Sequence, residues 1–219
     1  MPPILEARDV YRFYHAETDE TIALRGVSMT AAAGEIVALV GPSGSGKSTL
    51  LACLAGLDDP DGGTVSIGGE RISRRPEVVR ARMRARHVGV LFQYGNLIGH
   101  LDVAANIRLA RRFAADADAR PVEELLQSMG IAERAHAYPS ELSGGEAARA
   151  GLAVAMANDP DVLLADEPTG ELDNTSTDAV LALVTRQARR GAAVVVATHS
   201  DAIAGAAHRV LRLEDGHLR

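Results

Sequence analysis

The 219-residue sequence has no tryptophan, one cysteine, one lysine and only 3% aromatic residues. The lone cysteine, Cys53, excludes an internal disulfide framework, and its place in the apolar run LLACLAG marks it as a small core residue. No apolar run approaches the ~18 to 20 residues that a membrane span needs; the longest candidates are short stretches at 192–197 and 150–157. Positions 1–10, MPPILEARDV, carry Glu6 and Asp9 and lack the basic-then-apolar order of a signal peptide. Residence in the cytosol is the expectation.

Glycine and proline are present in ordinary amounts, at 21 and 9 residues, and 47% hydrophobic with 24% charged residues excludes disordered and collagen-like classes. The length suits one compact unit, or a core carrying an inserted subdomain. A net charge of −6 argues against a primary role in holding nucleic-acid backbone. The local exception, seven arginines from Arg71 to Arg86, is spaced around the helical run EVVRARMRAR and reads as a solvated face. Every other basic residue except histidine being arginine, Lys47 stands out before any motif is considered.

Along the chain, extended segments at 4–13 and 22–30 flank the polar turn-like stretch HAETDET and precede a short strand at 35–40. A helix opens at Lys47, the turn DPDGG leads into strand TVSIG, and a helix at 77–86 is followed by a strand at 88–92. From about Tyr94 to Asn158 only helical spacing is found. Strand character returns at 162–165 and 193–197, separated by a helix that Asn174 is placed to cap and Gly191 to end. This alternation predicts a parallel sheet. The tail RVLRLEDGHLR carries an Asp215-Gly216 turn between two short extended pieces.

GPSGSGKS at 41–48 satisfies G-x-x-x-x-G-K-[ST], directly after an apolar strand and opening a helix. Glycines let the backbone wrap a phosphate, successive N–H groups point inward, and the helix N-terminus adds positive potential. Gly41, Ser43, Gly44, Ser45, Gly46, Lys47, Ser48 and Thr49 are therefore candidate nucleotide-binding residues, with the Lys47 charge for the β- and γ-phosphates and the Ser48 hydroxyl for Mg²⁺. VLLADE at 162–167 is an apolar strand ending in two carboxylates. Asp166 fits the acidic partner of a phosphate-bound Mg²⁺ and Glu167 a general base for an attacking water. LSGGE at 142–146 opens a helix with a serine and two glycines, a second anion-binding helix N-terminus. As a bare string it reads equally as a capped helix. Beside a P-loop, the economical reading is that Ser143, Gly144 and Gly145 clamp the γ-phosphate of ATP held by another copy in a head-to-tail dimer.

With these motifs in this order the chain resembles the ATP-binding subunits of ABC (ATP-binding cassette) transporters, over essentially its whole length. The resemblance implies further roles. Gln93, after VGVLF, matches the glutamine that senses Mg²⁺ and water, so that Glu167, His199 and Gln93 form the catalytic set and Ser48, Gln93 and Asp166 the metal set. Asp173 in GELD matches the loop that touches the opposing monomer, His199 the histidine that contacts the γ-phosphate, and Tyr14, with Tyr11 as runner-up, the aromatic that stacks on adenine. ADEPTGELD, GLDDPDGG and VGVLFQ with its following L-x-V-x-x-N segment look most like the lipoprotein-releasing and macrolide-export branch, which includes cell-division ATPases. Ala147 and Ala148 depart from the polar residues that usually follow LSGG at the start of this helix in the family, as do Val154 and Ala105 from the arginine and glutamate common at their positions.

The expected fold is a P-loop α/β core with an N-terminal antiparallel β subdomain and an inserted helical subdomain: 1–93 and 158–219 against 94–157, in one domain. The expected function is hydrolysis of ATP with Mg²⁺ by a homodimer that drives a separate membrane permease, for export or extraction, from the inner face of the cell membrane and without nucleic acid. The alternative is an ATPase that regulates a cell-wall enzyme through a permease-like partner without moving cargo. A chromosome-maintenance ATPase needs coiled-coil arms and a translation factor two cassettes, and the chain has room for neither. The permease is expected to dock at 94–107, with Leu97, Leu101 and Val103 as apolar candidates.

Overall fold

The computed structural model describes residues 3–16, 19–114, 121–170 and 172–219. Strands β1 (Leu5–Ala16) and β2 (Asp19–Ala31) pair antiparallel, and β1 also pairs with β4 (Gly62–Ile67), which pairs with β5 (Glu70–Arg71). The first two strands run past the expected ends because their pairing continues to Ala16 opposite Asp19. The expected turn between them falls partly on residues 17 and 18, outside the described residues.

The second sheet is ordered β10-β9-β3-β8-β7-β6. Its parallel members are β3 (Ile36–Val40), β6 (Val88–Leu91), β7 (Val162–Asp166), β8 (Ala193–Ala197) and β9 (Arg209–Glu214). The edge strand β10 (His217–Leu218) folds back on β9 through a turn in which Asp215 and Gly216 both have positive φ, as an Asp-Gly hairpin requires. Residues of the central strands alternate between two cores. Val37, Leu39, Val162, Leu164, Val195 and Ala197 face β1, β2 and helix α1 (Lys47–Leu54), while Ile36, Leu163, Ala165, Val194 and Val196 face the opposite layer. Burial on both faces is why these strands read as continuous apolar runs. Cys53 is wholly buried in the first core, where desolvation pushes its thiol up to about 12 and keeps it inert.

Between β6 and β7 the described residues form helices only: α3 (Val103–Ala114), α4 (Val122–Ser128) and α5 (Gly144–Ala155), with 3-10 turns at Ala132–Arg134 and Pro139–Glu141. Asn106 is buried yet satisfied. Its side-chain carbonyl accepts from the Ile98 N–H at 2.8 Å, and its amide donates to the carbonyls of Leu101 and Asp102 at 3.1 and 3.0 Å, fixing the 98–102 loop onto α3. The helix α6 (Asn174–Arg189) joins β7 to β8, and α7 (Asp201–Ala206) joins β8 to β9.

Three expectations are corrected. The cap of α6 is Asp173, one residue before Asn174: its carboxylate accepts from the backbone N–H of Ser176 at 3.0 Å and from the Ser176 hydroxyl at 2.9 Å. Those bonds hold its pKa below the ordinary aspartate value. Val103 has no exposed surface and packs in the helical core, because it lies on the inner face of α3 with Ala104 and Ile107. The arginines of α2 (Glu77–His87) do not form one solvated face. Arg80 pairs with Asp59 and Glu77, and Arg84 donates to the Gly56 carbonyl at 2.7 Å while pairing with Glu77, so both lie against the core and tie α2 to the 56–59 loop.

Candidate functional site

The 41–46 loop leaves the C-terminal end of β3 and turns into α1, the crevice position where parallel sheets receive ligands. Two of its glycines are there for space as well as conformation. Gly46 has φ 104°, and a Cβ on it would run into the Ala23 carbonyl of β2; one on Gly41 would strike the Leu213 carbonyl of β9. The loop is thus gripped between the antiparallel sheet and the C-terminal hairpin. The Gly216 N–H donates to the Ser45 carbonyl at 3.2 Å, and the Arg25 N–H to the Gly216 carbonyl at 2.8 Å.

Lys47, only 7% exposed, folds back over the loop and donates to the carbonyls of Gly41 at 2.8 Å and Pro42 at 3.0 Å. An ammonium carries three donors, so these two bonds leave a third for an anion. A cleft of about 900 Å³ opens above it. Ser43, Gly44, Gly46, Lys47, Ser48 and Thr49 line its floor, Tyr14 one side, and Gln93, Asp166, Glu167 and His199 the other. Gly41 and Ser45 do not line it: Ser45 is buried, its hydroxyl lacking a hydrogen-bond partner, and both residues shape the loop from beneath. Tyr11 is also absent from the cleft, its ring instead stacked near Phe13 and against Gly62.

Asp166 ends β7, and Glu167 follows with φ 47°, a left-handed conformation costly for a side-chain-bearing residue. The strain is held by its N–H, which donates to the Ala197 carbonyl at 2.9 Å, and by its carboxylate, which accepts from the His199 N–H at 3.2 Å. The other carboxylate oxygen, Oε1, is buried without a hydrogen bond, 3.4 Å from His199 Nε2. An unsatisfied buried acceptor at the cleft wall is suited to a water that donates to it. Ser48, Gln93 and Asp166 meet in the same cleft, one hydroxyl, one amide and one carboxylate. That donor set fits Mg²⁺ bound mainly through substrate phosphates and water, which needs no cage of several carboxylates. No cluster of three or more metal-ligating His, Cys, Asp or Glu side chains occurs among the described residues.

The second glycine-containing helix start lies elsewhere. Ser143 caps α5 in a capping box: its N–H and hydroxyl donate to Glu146 Oε2 at 2.8 and 2.9 Å, and Arg134 donates to Glu146 Oε1 at 2.8 Å. The Ser143 N–H, Arg134 and the Ser143 hydroxyl together hold the Glu146 carboxyl down at about 2. None of Ser143, Gly144, Gly145 or Asp173 lines the cleft. A Cβ on Gly145 would collide with the Ser176 hydroxyl, so the start of α5 sits directly on the capped start of α6. Gln93 stands between the cleft and a groove of about 340 Å³ that Tyr94, Leu97 and Gly144 also line, and it therefore borders both regions.

The family model described as ABC transporter matches residues 24–170. The chain belongs to the ABC transporter family. The lipoprotein-releasing system ATP-binding protein LolD of Maricaulis maris is 44% identical over 98% of this chain and 96% of its own. The macrolide export ATP-binding/permease protein MacB of Escherichia coli K12 is 38% identical over the whole of this chain, which spans 34% of MacB. Among solved structures, the dimeric ABC transporter cassette MJ0796 superposes with a TM-score of 0.89 at 32% identity, covering 98% of this chain and 96% of that one. Its post-hydrolysis dimer bound to ADP and Pi gives 0.90 at 31%. The chain is thus an ABC-type ATP hydrolase with the expected cassette fold, similar to the lipoprotein-releasing and macrolide-export ATPases.

Several residues in and beside the cleft carried no motif. Arg25, Asp215 and Gly216 line the cleft from β2 and the C-terminal hairpin, places joined only by folding. Asn96 closes the turn after β6, accepting from the Phe92 N–H and donating to the Phe92 carbonyl, both at 2.7 Å, and so sets where Gln93 stands. Its signal was an Asn five residues after the strand end.

Proposed function

We propose that this ATPase works as a head-to-tail dimer with MgATP shared between copies and drives a separate membrane permease of export or extraction type. The observation that carries the reading is that Ser143, Gly144 and Gly145, the second phosphate-binding helix start, do not line the cleft of the P-loop. One chain therefore offers half of each of two phosphate clamps, and a two-fold pairing completes both. The dimeric state of MJ0796 supports this.

In this reading 1–219 form one ABC ATPase domain with 94–157 as its helical subdomain. The backbone of the 41–46 loop, Lys47 and Thr49 hold the phosphates, with Tyr14 against the base and Ser143 to Gly145 of the second copy on the γ-phosphate. Ser48, Gln93 and Asp166 hold Mg²⁺, which when bound neutralises charge on the phosphates. Glu167 takes the proton of a water held at Oε1, His199 steadies the γ-phosphate, and Asp173 brings the start of α6 against the opposing copy.

The relatives support the permease reading: MacB, by its name, joins ATP-binding and permease parts in one protein, and this chain aligns with about a third of it. No helix among the described residues is long and apolar enough to cross a membrane. Such a partner would hold the ATPase on the inner face of the cell membrane. Besides the groove by Gln93, a groove of about 710 Å³ between α2, β6 and α3 carries exposed Leu57, Val78, Phe92 and Phe113, the apolar surface that a permease helix needs. The decisive experiment is light scattering on Glu167→Gln with MgATP. The mass should double on adding nucleotide; a chain that binds MgATP and stays monomeric would overturn the shared-site reading.

A further inference from the structure

Tyr14 lines the cleft and Arg12 does not, yet the two side chains are in contact. The Arg12 guanidinium carbon stands 4.7 Å from the centre of the Tyr14 ring, over its face. Neither side chain is left to choose its own rotamer. Arg12 Nε donates to Asp58 Oδ2 at 2.8 Å and Nη1 to Asp61 Oδ2 at 3.0 Å, and the Tyr14 hydroxyl donates to that same Asp58 oxygen at 3.0 Å. Asp61 Oδ2 also accepts the Phe13 N–H at 2.8 Å, which pins the backbone between them. Asp58 and Asp61 belong to the turn after α1, the helix that the phosphate loop opens, so this cluster ties the strand bearing Tyr14 to the element bearing Lys47.

We propose that Arg12 is a positioning residue for the nucleobase: with Asp58 it braces Tyr14 from behind and sets the face on which a flat base stacks. The inference rests on the reading of Tyr14 as the base-stacking residue. Two effects follow from the geometry. A ring already fixed in its bound orientation loses little freedom when the base arrives. A cation on the rear face draws π density to that side, and the open face, left less electron-rich, stacks better on an electron-rich purine. Arg12 thereby favours a nucleotide over a bare polyphosphate, a selectivity the phosphate loop alone lacks. Burial opposes the guanidinium charge, but the bonds to Asp58 and Asp61 outweigh it and raise the pKa, so the brace stays charged.

The test is calorimetric titration of the full chain with two ligands, MgATP and Mg-tripolyphosphate, for the parent, Tyr14→Ala, Arg12→Gln and Arg12→Lys. Tyr14→Ala should weaken MgATP about 5- to 100-fold, the range for losing one base–aromatic stack. Arg12→Gln should weaken MgATP about two- to fivefold, and Arg12→Lys, which keeps the cation, should restore part of the loss. All three should bind Mg-tripolyphosphate like the parent. If Tyr14→Ala binds MgATP as the parent does, the stacking reading itself falls. If Tyr14→Ala is weakened and Arg12→Gln is not, the brace falls alone. Equal weakening of both ligands in Arg12→Gln would mean a general loss of structure and would also overturn the brace. Should Arg12→Gln not fold, Arg12→Lys decides: an intermediate MgATP loss with unchanged tripolyphosphate upholds the proposal, and no loss sinks it.

Discussion

Glu167 and His199 are locked together just past the C-terminal ends of the neighbouring parallel strands β7 and β8: one Glu167 oxygen accepts the His199 backbone N–H at 3.2 Å and the other lies 3.4 Å from His199 Nε2. The first bond fixes the carboxylate and leaves Oε1 buried at the cleft wall without a hydrogen bond. Replacing the acid by its amide separates geometry from basicity, because an amide oxygen still accepts the His199 N–H. Glu167→Gln should bind MgATP like the parent and lose about 10²- to 10⁴-fold in turnover, the usual worth of a general base. Phosphate release at the parental rate would remove Glu167 from that role.

Lys47 is the only lysine, and its ammonium already caps the loop it serves through Gly41 and Pro42. Lys47→Ala removes the nearest fixed charge from the phosphates and the two bonds that keep the loop closed. A hydrogen bond to a charged group is worth about 1.5–3 kcal/mol, so MgATP affinity should fall at least roughly tenfold by calorimetry.

The separation of Ser143 from the P-loop cleft makes a complementation test possible. A Lys47→Ala chain and a Ser143→Arg chain each spoil both sites of their own homodimer. In the mixed dimer both lesions fall in one site and leave the other whole. Mixing two inactive chains should therefore return ATPase activity, as measured by phosphate release; no return at any ratio would argue against shared sites.

Much of this arrangement was legible because it is local. A phosphate loop needs glycines and a lysine at fixed spacing, and β3, β7 and β8 need unbroken apolar runs because both their faces are buried. Tertiary contacts were not legible. Asp58, which orients both Arg12 and Tyr14, reads as one acid in an acidic turn until the fold brings it to β1. Val103 and Leu97 look alike as apolar residues near Gln93, and only packing shows the first to be wholly buried and the second half-buried against the same core. The α6 cap was misplaced by one residue because Asp173 and Asn174 both have capping side chains, and the choice lies in the backbone turn.

The capping box of α5 gives this helix a pH dependence. The Ser143 N–H, Arg134 and the Ser143 hydroxyl lower the Glu146 pKa from an ordinary 4.5 to about 2. A carboxyl depressed in the folded state stabilises it fully above the unfolded value, and that contribution is lost as pH falls through the folded one. The stability advantage of the parent over Glu146→Ala should thus be constant above about pH 5, shrink below pH 4.5 and vanish near pH 2. Thermal melts by circular dichroism across that range report it; a difference that grows on acidification would contradict the network.

The last prediction distinguishes two places where a permease could hold this ATPase. The groove beside Gln93 is small, about 340 Å³, and its apolar residue Leu97 is half-buried against the helical core. The groove between α2, β6 and α3 is about 710 Å³, with Val78 64% exposed and Phe113 70% exposed at its margins. Large apolar side chains left in water at a groove mark an interaction site, and Arg82 on the same wall offers charge to an acidic partner residue. A charge placed on either exposed side chain disturbs no internal packing, so Val78→Asp and Phe113→Asp should melt within a few degrees of the parent and bind MgATP equally. Co-expressed with the proposed permease partner, each should fail to co-purify and lose permease-stimulated turnover. Leu97→Asp tests the smaller groove in the same assay. If Leu97→Asp alone releases the permease while keeping its fold, docking is at 94–107; if Val78→Asp and Phe113→Asp release it, the larger groove is the seat.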